Sequence, residues 1–258
     1  MFTNEIKDDG FGSQYQSLIC AILYAEVKEK SIFVFRAPNF SVVYYPEEIE
    51  NFNKLINLQD SYLNYSDNFN NTDIRTIDIR TSYTEIENHI DYYLKSESLK
   101  KIKSLLRTDI VSFDKNYNNV VIHIRRPSLH KNIDITEHHN NIDVKNQHIN
   151  NLPSISERFL SDTYYLKIIE HIRKTHKNNK FYIVSEGNLS NFNNFVADDI
   201  VLYINKDPCS SFVYLVISDI LVMSKSSFSY SAALLNENIV YYPKDFWHKK
   251  ASHWIIYE

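Results

Sequence analysis

The chain has 258 residues, 43% of them hydrophobic, and carries 28 Lys and Arg against 32 Asp and Glu for a formal net charge of -4. That apolar share is enough for a substantial core and argues against disorder, while the charge balance and the lack of any long basic run argue against a nucleic-acid-binding surface. Two cysteines, Cys20 and Cys209, form neither a disulfide framework nor a metal-ligand spacing, and the N-terminus is not leader-like, so a reducing compartment and a cytoplasmic protein are expected.

The chain has only three glycines, and two of them, Gly10 and Gly12, stand together in "DDGFGSQ". Ordinary usage would give about eighteen, so each is expected to answer a backbone need. The next residues, 14–28, space Tyr15, Leu18, Ile19, Ile22 and Leu23 as one apolar helix face. The longest apolar run, residues 18–25, is far shorter than a membrane span needs, so no transmembrane segment is expected. "SIFVFR" follows as a buried strand, "PEEIENFNKLIN" as a helix opened by proline and acids, and "IRTIDI" as a short strand. "TEIENHIDYYL" and "SLKKIKSLLR" are predicted as two helices, with Ser98 the candidate cap of the second.

Periodicity lapses over residues 109–118, which places a domain boundary there and predicts domains 1–113 and 114–258. Beyond it the pattern alternates regularly. "NVVIHI" is a strand, and a polar stretch rich in His and Asn follows, about residues 126–154. Structureless segments of that length are usually lids, binding loops or disordered segments. Then come helix 162–176, strand 180–185, a short helix, strand 199–204, helix 210–218, strand 219–224, helix 227–236 and strand 238–242. Such alternation predicts an α/β fold whose C-terminal half is a parallel sheet covered by helices.

Three segments carry candidate chemistry. In "DGFGSQ", Gly10 and Gly12 would let the backbone approach a ligand at a helix N-terminus; the plainer alternative is a tight turn capped by Ser13. It is not a dinucleotide fingerprint, because the third glycine is missing. In "VVIHIRRPS", strand alternation puts His123 and Arg125 on one side, at the carboxyl end of a strand, where parallel sheets bind ligands. Two adjacent arginines, Arg125 and Arg126, suit a diphosphate; the alternative is solvated loop charge beside a satisfied histidine. In "DILVMSKSSFSYSAALLN", Ser226 and Ser227 open a helix and are candidates to hold phosphate oxygens, or simply to cap it. His130, His138, His139 and His148 in the polar stretch lack any recognised ligand spacing, so no metal is expected.

Taken in order, these segments resemble the fucosyltransferase superfamily of GT-B glycosyltransferases. The likeness is to the α-1,2-fucosyltransferase branch (family GT11) and its protein O- and α-1,6-fucosyltransferase relatives. "GFGSQ" matches that family's opening Gly-x-Gly-Asn-Gln, "HIRR" its His-x-Arg-Arg strand end, "IVSEG" its Phe-Ser-Asp, "SSFS" its Asn-Ser-Ser-Phe-Ser, and "YYPKDFW" its closing segment. The resemblance implies two Rossmann-like domains facing a cleft, and a metal-independent inverting transfer of fucose from GDP-fucose to a glycan hydroxyl. It implies that His123 faces the guanine and that Arg125 contacts the β-phosphate. Arg126, Ser226, Ser227, Phe228 and Glu186 would line the donor pocket, and Gly10, Gly12 and Gln14 would face the donor from the other domain. The acceptor would be a glycan or a glycolipid, which leaves peripheral membrane association open.

The pattern also departs from the family. Pro127 and Ser128 stand where Gly-Asp is usual, and an acid used on the guanine is replaced by Ser211, with Asp207 nearby. The base that inversion needs is left to Asp134, Glu137 or Glu186 by position alone. A donor other than GDP-fucose, a binding protein without transfer, and an unrelated α/β binding module are the rival readings.

Overall fold

A computed structural model describes residues 1–6, 9–38, 46–65, 73–126 and 159–257. The chain divides into two units. The first comprises Met1–Ile110 with Tyr230–Leu235 and Trp247–His253; the second comprises Val111–Ser229, Asn236–Phe246 and Trp254–Glu258.

In the first unit the elements are β1 (Phe2–Asn4), α1 (Phe11–Leu23), β2 (Phe33–Phe35), α2 (Pro46–Ile56), β3 (Leu63–Asn64), β4 (Arg75–Ile77), α3 (Ile79–Asn88), α4 (Ile90–Tyr93) and α5 (Glu97–Leu105). The strands form a parallel sheet in the order β3-β2-β1-β4. Helix α1 is the centre of this unit. Almost every residue from Phe11 to Leu23 is buried, the polar Gln14, Gln16 and Ser17 included, so the helix lies inside the unit and not on its surface. Phe11 stacks on Phe52 of α2 with ring centroids 4.2 Å apart. Past Leu23 the helix widens into a π-helical turn, Tyr24–Lys28.

Several boundaries differ from those the sequence predicts. Helix α1 starts at Phe11, three residues earlier than expected, because Gly10 is its N-cap. The Gly10 carbonyl accepts from the backbone N–H of Ser13 and Gln14, both at 3.1 Å. Ser13 therefore lies inside the first turn and is not the cap. Neither glycine is there for a left-handed backbone: Gly10 has φ -66° and Gly12 is helical. The helix predicted over residues 84–94 is two, α3 and α4, because His89 leaves helical geometry with φ -128° and ψ 30°. Ser96, not Ser98, caps α5, its Oγ accepting from the Leu99 N–H at 3.2 Å. Strands β1 and β3 are too short to have shown a period.

The C-terminal part of the chain returns to this unit through His248. Its Nδ1 lies 2.7 Å from Glu87 Oε1, and its ring stacks on Tyr230 at 4.5 Å. The neighbouring Lys249 N–H donates to Glu87 Oε2 at 3.1 Å.

The second unit holds β5 (Asn118–His123), α6 (Asp162–Thr175), β6 (Asn179–Ser185), a 3-10 helix (Leu189–Phe195), β7 (Ile200–Ile204), α7 (Pro208–Ile217), β8 (Ile220–Val222), the start of α8 (Ser227–Leu235), β9 (Ile239–Pro243) and β10 (Ile255–Tyr257). Its sheet is parallel throughout, in the order β10-β9-β8-β5-β6-β7. Strand β5 lies inside the sheet, with Val121 opposite Tyr182 of β6 and Leu221 of β8. On one face Val120, Ile122, Phe181, Ile183, Ile220 and Val222 pack with Tyr165, Ile168, Ile169 and Ile172 of α6. Helix α7 also packs against β5. Its apolar residues Phe212, Val213, Leu215 and Val216 are buried. Buried Asn236 donates to the Leu215 and Ser218 carbonyls at 3.0 and 3.1 Å, which ties the end of α7 to the approach to β9. The α/β class with parallel, helix-covered sheets is thus the observed architecture. Strand β10 was not predicted. Among the described residues no helix is long and apolar enough to cross a membrane.

The turn after β6 shows one place where glycine is required. Gly187 has φ +131°. Its N–H donates to Asn205 Oδ1 and its carbonyl accepts from Asn205 Nδ2, both at 2.8 Å. A Cβ at this position would meet Phe192 at 3.8 Å, an ordinary contact. The cost of a side chain is therefore backbone strain rather than a clash. Gly187→Ala is expected to destabilise the protein by roughly 1–3 kcal/mol, read as a lower urea midpoint with an unchanged m-value.

Candidate functional site

The second unit gathers several candidate residues at the carboxyl end of its sheet. The chain stays extended past β5: the Ile124 N–H donates to the Val184 carbonyl at 3.0 Å. The Ile124 carbonyl accepts from Ser185 Oγ at 2.6 Å. Ile124 is buried. With that residue held, alternation sends His123 and Arg125 one way and Arg126 the other.

His123 and Arg125 reach the segment between β8 and α8. His123 Nδ1 lies 2.8 Å from the hydroxyl of Ser224, just past β8. Its ring meets that of Phe228, in the first turn of α8, at 5.4 Å. Arg125 Nη1 donates to the Lys225 carbonyl at 3.3 Å. The segment is folded on its own polar groups. The Ser226 N–H donates to the Ser224 carbonyl at 2.8 Å. Ser229 Oγ donates to the carbonyls of Ser224 and Ser226 at 3.1 and 3.2 Å. Ser226 Oγ accepts from the Phe228 N–H at 3.2 Å, so Ser226 caps the helix. Behind it, Phe228 meets Phe212 of α7 edge-on at 5.4 Å.

The electrostatics of this corner hold the histidine neutral. Burial of the ring, then the neighbouring Arg125 guanidinium, push the His123 pKa down to about 3; Glu186 pulls weakly the other way. Glu186 itself stands exposed, one residue past β6. At neutral pH the corner therefore holds the Arg125 guanidinium beside an uncharged imidazole and the N-terminus of α8. That combination suits an anionic oxygen and a polar heterocycle.

Arg126 does something else. Its guanidinium pairs with the Asp162 carboxylate, donates to the Leu160 carbonyl at 3.5 Å and lies over the Phe192 ring at 5.6 Å. Asp162 also accepts from Asn194 Nδ2 at 3.1 Å. Arg126 thus joins the start of α6 to the 3-10 helix, and the two arginines do not form one clamp. The acid at the head of α6 was the signal in the sequence that could have found this pair.

The other candidates are placed as follows. Gly10, Gly12 and Gln14 belong to the first unit. There the Gly10 N–H donates to Asp9 Oδ1 at 2.7 Å, and Gln14 Nε2 donates to the Asp9 carbonyl at 2.6 Å. Gly12 and Gln14 are buried within α1. Asp207 is the N-cap of α7, accepting from the N–H and hydroxyl of Ser210 at 2.7 Å each, and Ser211 is buried. Asp134, Glu137, Pro127 and Ser128 lie outside the described residues. Among the described residues no group of three or more His, Cys, Asp or Glu side chains could hold a metal ion. Ser224 is the site residue that sequence reading missed; a serine at a strand end gives no pattern of its own.

No family model matches the chain, and no curated protein matches it. Among solved structures it is similar to the crystal structure of NodZ α-1,6-fucosyltransferase soaked with GDP-fucose. The match covers 91% of this chain and 92% of that one, at 11% sequence identity and a TM-score of 0.41.

The depressed His123 pKa has a consequence for stability. The unfolded chain takes up this proton near the ordinary histidine pKa of about 6.5, and the folded protein only near 3. His123 therefore adds nothing to pH dependence above about 6.5, and stability falls with pH between there and 3. The wild type is expected to lose on the order of 1–2 kcal/mol of unfolding free energy from this residue between pH 7 and 5, read from urea titrations at the two pH values. His123→Gln should show a shallower acid limb over the same range. Parallel curves for the two proteins would contradict an imidazole held neutral in the folded protein.

Proposed function

We propose that the chain is a metal-independent inverting glycosyltransferase that moves fucose from GDP-fucose to a hydroxyl of a glycan or glycolipid. The observation that carries the reading is the convergence of His123 and Arg125 with the Ser224–Ser229 segment, at the carboxyl ends of the neighbouring parallel strands β5 and β8. Open parallel sheets bind nucleotides at that end. In the reaction the acceptor oxygen bonds to the anomeric carbon as the bond from that carbon to the diphosphate oxygen breaks. Arg125 and the α8 N-terminus offset the negative charge left on the diphosphate, the electrostatic contribution that commonly dominates group transfer. A cation supplied by arginine is the reason for expecting no metal requirement. On this reading His123 and Phe228 meet the base, and Ser226 and Ser227 the phosphates. The acceptor proton goes to a carboxylate, for which Asp134, Glu137 and Glu186 are the candidates.

A second reading is favoured by Pro127 and Ser128 standing where the family usually has Gly-Asp: a protein that binds the nucleotide sugar or glycan without transfer. Both readings require nucleotide binding. GDP at about 100 times its dissociation constant is expected to stabilise the protein by roughly 2.7 kcal/mol, seen as a raised Tm. EDTA should leave the shift unchanged, UDP, CMP and ADP should give less, and Arg125→Ala should abolish it. A preference for another nucleotide would move the donor. No shift with any nucleotide would sink both readings. Fucose transfer to a glycan panel then separates enzyme from binder.

A further inference from the structure

Ser224 offers more than a contact. It is fully buried, and its backbone is fixed by its carbonyl, which accepts from the Ser226 N–H and from Ser229 Oγ. Among the described residues its hydroxyl has one hydrogen-bond partner, His123 Nδ1 at 2.8 Å. That single contact can be made in two ways. In one, Nδ1–H donates to the hydroxyl oxygen, and the hydroxyl proton is left buried with nothing to accept it. In the other, the hydroxyl donates to Nδ1, and only lone pairs on the serine oxygen go unused. An unpaired buried donor costs on the order of 1–3 kcal/mol, whereas an under-used oxygen is better tolerated. The second arrangement is therefore favoured. It places the ring proton on Nε2, since one nitrogen of a neutral imidazole donates while the other accepts. The Phe228 ring against the imidazole limits its rotation.

We infer that Ser224 is a positioning residue that locks His123 as an Nε2–H donor, so that the ligand group meeting His123 is a hydrogen-bond acceptor, either the keto oxygen of a base or a phosphate oxygen. His123 is then neither the general base of a transfer reaction nor an acceptor for an exocyclic amino group. The ligand half of this inference rests on the nucleotide-sugar reading above. The tautomer half does not.

The test starts with the free protein. Long-range 1H–15N spectra at pH 7, with His123 assigned by the loss of its signals in His123→Gln, should show Nδ1 unprotonated and Nε2 protonated. In Ser224→Ala, which removes only the hydroxyl, the same nitrogens should move toward an averaged mixture of tautomers. Nδ1 protonated in the wild type, or a spectrum unchanged by Ser224→Ala, overturns the inference. Binding is then measured for GDP, ADP and inorganic pyrophosphate. Ser224→Ala is expected to weaken GDP about threefold to tenfold, the equivalent of one net hydrogen bond. If pyrophosphate weakens equally, the acceptor is a phosphate oxygen. If pyrophosphate is unaffected, it is the keto oxygen, and ADP, with an amino group there, should bind worse than GDP to the wild type and lose little in the variant. Unchanged GDP affinity in Ser224→Ala overturns the ligand half. An Nε2–H tautomer with no nucleotide bound by the wild type supports the positioning role and overturns the nucleotide-sugar reading.

Discussion

The second unit depends on the parallel pairing of β5 between β6 and β8. Val120, Val121 and Ile122 are fully buried on this strand, and each pairs on both sides. Because all three strands run the same way, their carboxyl ends share one edge of the sheet. That places Ile124, Ser185 and Ser224 side by side without any further device. The hydroxyl of Ser185 on the Ile124 carbonyl and the Ile124 N–H on Val184 carry the extended conformation one residue beyond β5. Without them the strand end would be free to rotate, and the direction of the His123, Arg125 and Arg126 side chains would not be defined.

From that constraint follows the separation of the two arginines. A strand can direct only alternate residues to one side, so adjacent arginines cannot both face the β8 segment. Arg125 turns toward Lys225; Arg126 meets Asp162. The pair with Asp162 offsets the Arg126 charge locally, while burial first and then Arg125 lower the pKa of His123. One arginine thus shapes the charge at the site, and the other holds α6 and the 3-10 helix at its border.

Much of this fold was legible in the sequence because the second unit consists of long elements with strong periods. The strands over residues 118–123 and 179–185 each have a continuous apolar centre, Val120 to Ile122 and Phe181 to Val184, and α6 has four buried residues at helical spacing. The first unit was less legible for a physical reason. Strands β1 and β3, of three and two residues, have too few positions to show alternation, and the α3–α4 break at His89 depends on one residue's backbone angles. Within the site, the sequence showed His123 and Arg125 because they end a recognisable strand. It did not show Ser224 or the Arg126–Asp162 pair. The first contact spans 101 residues of sequence and the second 36, so each is set by how the fold brings distant elements together and not by a local pattern.

The serine segment before α8 resolves an apparent conflict between capping and ligand binding. Read from sequence, Ser226 either closes the helix or meets a phosphate. The structure shows Ser226 Oγ accepting from the Phe228 N–H, which uses its oxygen as an acceptor and not its proton. A hydroxyl has one proton and two lone pairs, so a capping serine keeps a donor to offer. Ser229 differs: its proton is shared between the Ser224 and Ser226 carbonyls, which makes it structural. Ser224 gives its proton to His123 in the arrangement argued above. Three of the four serines within these six residues therefore have three separate roles. Ser229 shapes the loop, Ser224 sets the histidine, and Ser226 caps the helix while its O–H stays available to an acceptor beside Arg125. Replacement of any one by alanine would remove a different property, which is why the cluster cannot be read as interchangeable polar residues.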